Sequence, residues 1–205
     1  MKRLALIVYV VSLTWSYAAS ATDDMYGIVS AGYAKSDIDT SAGADGASYK
    51  LALGYEFHRQ WYAEFGYQQI VNQSHVDMPP LTEAELANTE FGMKADALVA
   101  SVLGKAASNA GELFYRLGVM NVDVSGQSVS DSPECALGNG SDFSLDSGDI
   151  KTLCEFDEGI IAGVVGIGFD FYLGVNLMLR TEVEHIKGQQ GFETNAGYVG
   201  LRYNF

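Results

Sequence analysis

Residues 194–205 constrain this chain more than any other stretch. Counted back in steps of two, Phe205, Tyr203, Leu201, Val199 and Gly197 fall on one side, and Asn204, Arg202, Gly200 and Tyr198 on the other. Side chains alternate across an extended backbone, so this is a strand with one apolar surrounding. The same design recurs upstream. A strand whose apolar side meets lipid has to be closed into a barrel, because the bilayer core offers its backbone no partners. No apolar run beyond the first 21 residues is long enough for a spanning helix, so any membrane-crossing part must be built from strands.

Residues 1–21 read as a secretory signal peptide. Lys2 and Arg3 form its basic head, residues 4–13 its apolar core, and Ala19-Ser20-Ala21 a small-x-small cleavage site. Residues 22–205 are expected to be one domain, with no linker or composition break. Losing Lys2 and Arg3 from the 12 basic residues leaves 10 against 26 acidic ones, moving the formal charge from −14 to −16. That balance excludes nucleic acid as a partner, since phosphate contacts need clustered positive charge. The 12 Tyr, 10 Phe and 23 Gly against 3 Pro suit strands and aromatic belts better than helices.

Eight strands are predicted. The cleanest hairpin is 48–57 with 61–69: Tyr49, Leu51, Leu53, Tyr55 and Phe57 share one face, and Trp61, Ala63, Phe65 and Tyr67 continue it. The first strand covers 25–35, with Met25, Gly27, Val29, Ala31 and Tyr33 outward. The fourth covers 89–103, with Phe91, Met93, Ala95, Ala97 and Val99 on the apolar side and Glu90, Gly92, Lys94 and Asp96 on the other. A helix competes there, because residues 94–105 are rich in Ala and Leu. Further strands follow at 112–119, 160–171 and 175–184. The connections alternate: short at 58–60, 104–111 and 172–174, long at 36–47, 70–88, 124–158 and 187–193. Short turns on one side and long loops on the other are the rhythm of an outer-membrane barrel.

With these strands in place, the chain resembles the small OmpA/OmpX-type outer-membrane barrels, the porin-family or outer-membrane β-barrel domain proteins. The resemblance lies in residues 26–33, Leu117-Gly118, residues 179–184 and residues 198–205. It implies an all-β, eight-stranded antiparallel up-and-down barrel, monomeric and surrounded by outer-membrane lipid. It also implies that Val199, Leu201, Tyr203 and Phe205 form the signal read by the barrel-assembly machinery. Fold alone does not fix activity.

An eight-stranded barrel has room inside for side chains but not for an open channel. The inward faces are expected to contribute Lys50, Lys94, Arg116, Arg180 and Arg202 with Glu56, Glu64, Glu90, Asp96, Asp170, Glu182 and Glu184. Buried charges must be paired, so these are expected to form a polar plug. Glu182 and Glu184 share a face and could act as a carboxylate pair, but cations stand ready to neutralise them. Cys135 and Cys154 lie on a secreted route and are expected to form a disulfide. Closing that loop would remove roughly 3 kcal/mol of unfolded-state entropy.

Segment 124–158 also holds Asp131, Glu134, Asp142, Asp146, Asp149, Glu155, Asp157 and Glu158 against Lys151 alone. Asp142, Asp146 and Asp149 could offer oxygens to calcium, but their spacing is not that of an EF-hand, and a solvated acidic face is the plainer reading. No cofactor motif and no metal-ligand set is predicted. The expected role is structural or surface-binding, with a surface ligand reached through 124–158; a small-solute porin is the alternative. A lipid-modifying enzyme would need Ser and His on one rim. Of His58, His75 and His185, only His75 has a serine beside it in sequence, Ser74, and adjacency alone gives no triad.

Overall fold

The computed structural model describes residues 24–37, 43–73, 82, 92–132, 135 and 138–205; the signal peptide expected at 1–21 lies outside them. The strands are β1 (Met25–Asp37), β2 (Gly43–His58), β3 (Trp61–Asn72), β4 (Met93–Ala107), β5 (Gly111–Ser130), β6 (Asn139–Ser144), β7 (Ile150–Tyr172), β8 (Leu177–Gly188) and β9 (Glu193–Asn204). Their order is β5-β4-β3-β2-β1-β9-β8-β7-β6, and a further pairing of β5 with β7 closes the ring. Eight strands are therefore the staves of a closed antiparallel barrel, while β6 adds to the outer part of β7 alone.

Closure leaves no barrel stave with an unpaired edge inside the bilayer. The C-terminal strand completes it: β9 runs against β1 from Tyr26↔Asn204 to Asp37↔Glu193 and against β8 from Leu177↔Tyr203 to Lys187↔Glu193. On β2 the predicted face is outward, with Leu51, Leu53, Tyr55 and Phe57 each about half exposed, while Ser48, Lys50 and Gly54 on the opposite face are buried. Tyr55, Phe57, Trp61, Tyr115, Tyr203 and Phe205 ring the turn end, and Tyr33, Tyr49 and Tyr67 ring the other. Aromatic girdles bounding an apolar band mark the two interfaces of an outer-membrane barrel. Gly104 belongs to the lower girdle: a Cβ there would lie 2.1 Å from the Tyr115 ring, which packs edge-on to Trp61 at 6.0 Å.

β4 is a strand, not a helix, but its faces are opposite to expectation. Met93, Ala95, Ala97 and Val99 point inward and are buried, whereas Lys94 and Asp96 point out. Lower on the same strand Leu98 and Val102 face lipid. The physical reason is that the upper end of β4 rises out of the apolar band. There the outside is wet and the inside is packed, so the greasy parity is the inner one. Phe91 and Glu90 lie outside the described residues.

Segment 124–158 is likewise not a simple loop. β5 and β7 stay paired up to Ser130↔Thr152, and β6 joins the far side of β7 from Asn139↔Glu155 to Ser144↔Ile150. Val122 and Val124 on β5 and Phe156 and Ile160 on β7 face inward, with Asn121, Asp123 and Asp157 outward. The alternation continues above the membrane with its polarity reversed, which in sequence reads as the end of the strand. The turn expected at 104–111 shrinks too, as β4 runs on to Ala107 and carries Lys105 inside.

Candidate functional site

Along the inward parity of each stave, the turn-side half of the barrel collects charge. Lys50 on β2 reaches Glu182 at 3.0 Å and Glu184 at 2.5 Å on β8. Arg116 on β5 bridges Glu64 at 2.5 Å and Glu182 at 2.6 Å, and donates to the Ser101 hydroxyl at 2.6 Å. Arg180 holds Glu64 at 2.7 Å and Asp170 through both Nε and Nη2. Nearer the turns, Arg202 contacts Asp170 at 3.0 Å and Glu112 at 2.8 Å, and Lys105 meets Glu112 at 2.8 Å. Five cations thus face five carboxylates (Glu64, Glu112, Asp170, Glu182 and Glu184) in one connected, formally neutral set.

Aromatic rings fill the spaces between. Lys105 sits 3.6 Å over the Tyr62 ring, Arg202 3.9 Å over Tyr26 and Arg180 4.4 Å over Phe114, each a favourable cation–π placement. Tyr26 donates its hydroxyl to Glu64 at 2.8 Å, and its ring lies across Gly54, where a Cβ would come within 2.1 Å. Only glycine lets the ring lie that close. On the far side of the set, Gln68 donates to Glu184 at 3.2 Å and to Tyr198 at 2.8 Å, and Ser48 bonds Tyr198 at 2.7 Å. The cavity enclosed by Lys50, Glu64, Val99, Ser101 and Arg116 measures about 10 Å³. That is no more than the threshold for a single water.

Of the predicted interior charges, Lys50, Glu64, Arg116, Asp170, Arg180, Glu182, Glu184 and Arg202 meet in this set. Glu56 faces inward at the turn end, half-buried and outside the ion-paired group. Lys94 and Asp96 do not belong to it: they pair with each other at 2.9 Å on the outer surface, where Asp96 also accepts the Tyr67 hydroxyl at 2.6 Å. Glu90 lies outside the described residues. Lys105 and Glu112 were missed because both sit where a turn was expected to begin or end. The parity of Glu112 with Phe114 and Arg116 was the signal that could have found it.

Cys135 and Cys154 are disulfide-bonded, with Cα atoms 5.7 Å apart. Cys154 lies on the middle strand of the outer sheet, opposite Ser128 of β5 and Gly140 of β6, so the bond ties the β5–β6 connection down onto it. Acids stud this sheet: Lys151 pairs with Asp131, Thr152 donates to Asp142 at 2.8 Å, and Ser147 to Asp149 at 3.1 Å. Among the described residues no group of three or more His, Cys, Asp or Glu side chains is placed to hold a metal ion. His58 ends β2, opposite Trp61, and His185 bonds Asn195 at 3.0 Å; His75 is outside the described residues.

No protein-family model and no curated protein sequence matches the chain. Solved structures do. Neisserial surface protein A superposes with a TM-score of 0.62 at 14% identity, over 91% of this chain and 99% of that one. Ail of Yersinia pestis, solved with the heparin analogue sucrose octasulfate, gives 0.48 at 15% identity over 89% and 99%. The N-terminal barrel domain of Pseudomonas aeruginosa OprF gives 0.42 at 10% identity over 87% and 97%. The first of these likenesses, together with the closed ring and its girdles, shows that the chain has the fold of a small eight-stranded outer-membrane β-barrel. Identity this low establishes the fold and leaves the role to the residues.

Proposed function

We propose that this protein is a plugged outer-membrane barrel with a structural or surface-binding role, working through its outer sheet and not through its lumen. The observation that carries the plug is the neutral, fully paired set of ten charges, in which the space beside Lys50, Glu64 and Arg116 is a cavity of only about 10 Å³. An ion entering would have to break pairs already held in a low-dielectric interior. Glu182 and Glu184 are engaged by Lys50 and Arg116, which supports a structural role for them over an acid–base one. Planar-bilayer recording of the purified barrel tests the plug directly. Baseline current is expected, and large reproducible channels would restore the porin alternative.

The surface role rests on the β5–β7–β6 sheet, a disulfide-pinned, acidic platform held beyond the apolar band. Loops and extensions on a rigid scaffold are where binding concentrates, and a cross-link lowers the cost of holding one shape. A cationic surface is the partner class that fits. Ser125 and Asp157 are cross-strand partners, so residues 126–156 can be replaced by Asn-Gly as a two-residue hairpin without disturbing the staves. The trimmed barrel is expected to insert normally and to lose adhesion to cationic surfaces. Unchanged adhesion together with an intact envelope would leave the barrel itself as the function.

A further inference from the structure

The charged set fills only the turn-side half of the interior. Above it, every stave contributes buried apolar side chains to the interior, beside a few polar ones. Val71 (β3), Met93 (β4), Val122 (β5), Ile160 (β7), Ile186 (β8) and Phe192, just before β9, are each at most 1% exposed and belong to one packed cluster. The polar groups at this height satisfy one another: Ser36 bonds Thr194 at 2.8 Å, across β1 and β9. Glu158 stands half-buried on β7 nearer the outer end, beyond Ile160.

We infer that this apolar layer is a second seal, which stops ions without help from the charged set below it. The inference rests on the plugged-lumen reading and adds that the ion pairs are not the gate. An ion pushed into the packed apolar cluster would shed its water and meet mainly hydrocarbon in exchange. Narrow apolar passages also dewet, and small apolar voids stay dry. The two layers fail for different reasons: the lower one when its pairs are broken, the upper one when its side chains are made polar or small.

Four proteins recorded in planar bilayers test this, each first checked for folding by heat-modifiable migration. They are the wild type, a balanced network variant (K50A/R116A/E182A/E184A), an outer-layer variant (V122S/I160S/I186S), and their combination. The network variant removes two cations and two anions, so Arg180 still faces Glu64 and Asp170. Expected results are baseline current for the first three and channels for the combination alone. Channels in the network variant over a silent wild type would overturn the second seal while sparing the plug, and so would a silent combination. Channels in the wild type would sink the plug itself. Where the network variant does not fold, K50M/R116M/E182Q/E184Q, which removes the same four charges with less loss of side-chain volume, takes its place in both the single and the combined protein, with the same readings.

Discussion

Arg180 touches Glu64, Asp170 and the Phe114 ring at once, and its side chain is 1% exposed. Removing one member of a buried ion group strands its partners, at about 3–5 kcal/mol. Arg180→Met is therefore expected to lower the unfolding free energy by about that much in urea titrations of the folded barrel. Lys94→Met is expected to change it by under about 1 kcal/mol, because Lys94 is 48% exposed and its pair is a surface one. Equal losses would place Lys94 back inside. The contrast shows what a single residue reveals in sequence. Arg116 sits between Tyr115 and Leu117 and Arg180 between Leu179 and Thr181, on strands whose other parity is mostly apolar, so their inward parity is legible. Lys94 and Asp96 sit where no lipid sets the outer face, and residue type alone cannot tell wet outside from paired inside.

At the scale of the element, β2, β3, β8 and β9 were readable because apolar-out, polar-in alternation holds over nearly their whole length. β4, β5 and β7 cross the membrane boundary partway, and the rule reverses along them. Cysteines placed one residue apart on β4 read this out. With the native pair disulfide-bonded, Lys94→Cys is expected to react with a membrane-impermeant thiol reagent on whole cells, and Ala95→Cys to stay protected. Protection of the first and reaction of the second would restore the original parity. β9 supplies a second element-level test. Phe205 points outward against Tyr203 at 5.7 Å and its backbone N–H donates to Met25 at 3.0 Å, while the inward Asn204 accepts from Arg202 at 3.0 Å. If assembly reads the outward aromatic, Phe205→Asp should cut outer-membrane yield well below Asn204→Ala; matching yields would remove that role.

For the whole molecule, the neutrality of the interior has an electrostatic consequence. Five of the 26 acids and five bases cancel inside, leaving 21 acids elsewhere against Lys35, Arg59, Lys94, Lys151 and Lys187, besides Lys2 and Arg3 of the expected signal peptide. Of those 21, Asp23, Asp24 and Glu56 fall at the turn end of the staves in sequence, beside Arg59, and the rest follow the outer ends and their connections. The apolar band therefore separates a nearly neutral turn end from a strongly negative outer one. A field of one sign steers cationic partners from a distance and weakens as salt rises, with a screening length of about 10 Å at 0.1 M and about 3 Å at 1 M. Association of a polylysine-coated surface with the barrel in nanodiscs is accordingly expected to slow at least tenfold between about 0.02 M and 0.5 M salt. Replacing residues 126–156 by Asn-Gly removes six acids and one base, Lys151, and should flatten that dependence while leaving the barrel ring intact. A salt response unchanged by the replacement would move the binding surface to the other outer connections; a salt-independent rate would dismiss electrostatic capture by this barrel altogether.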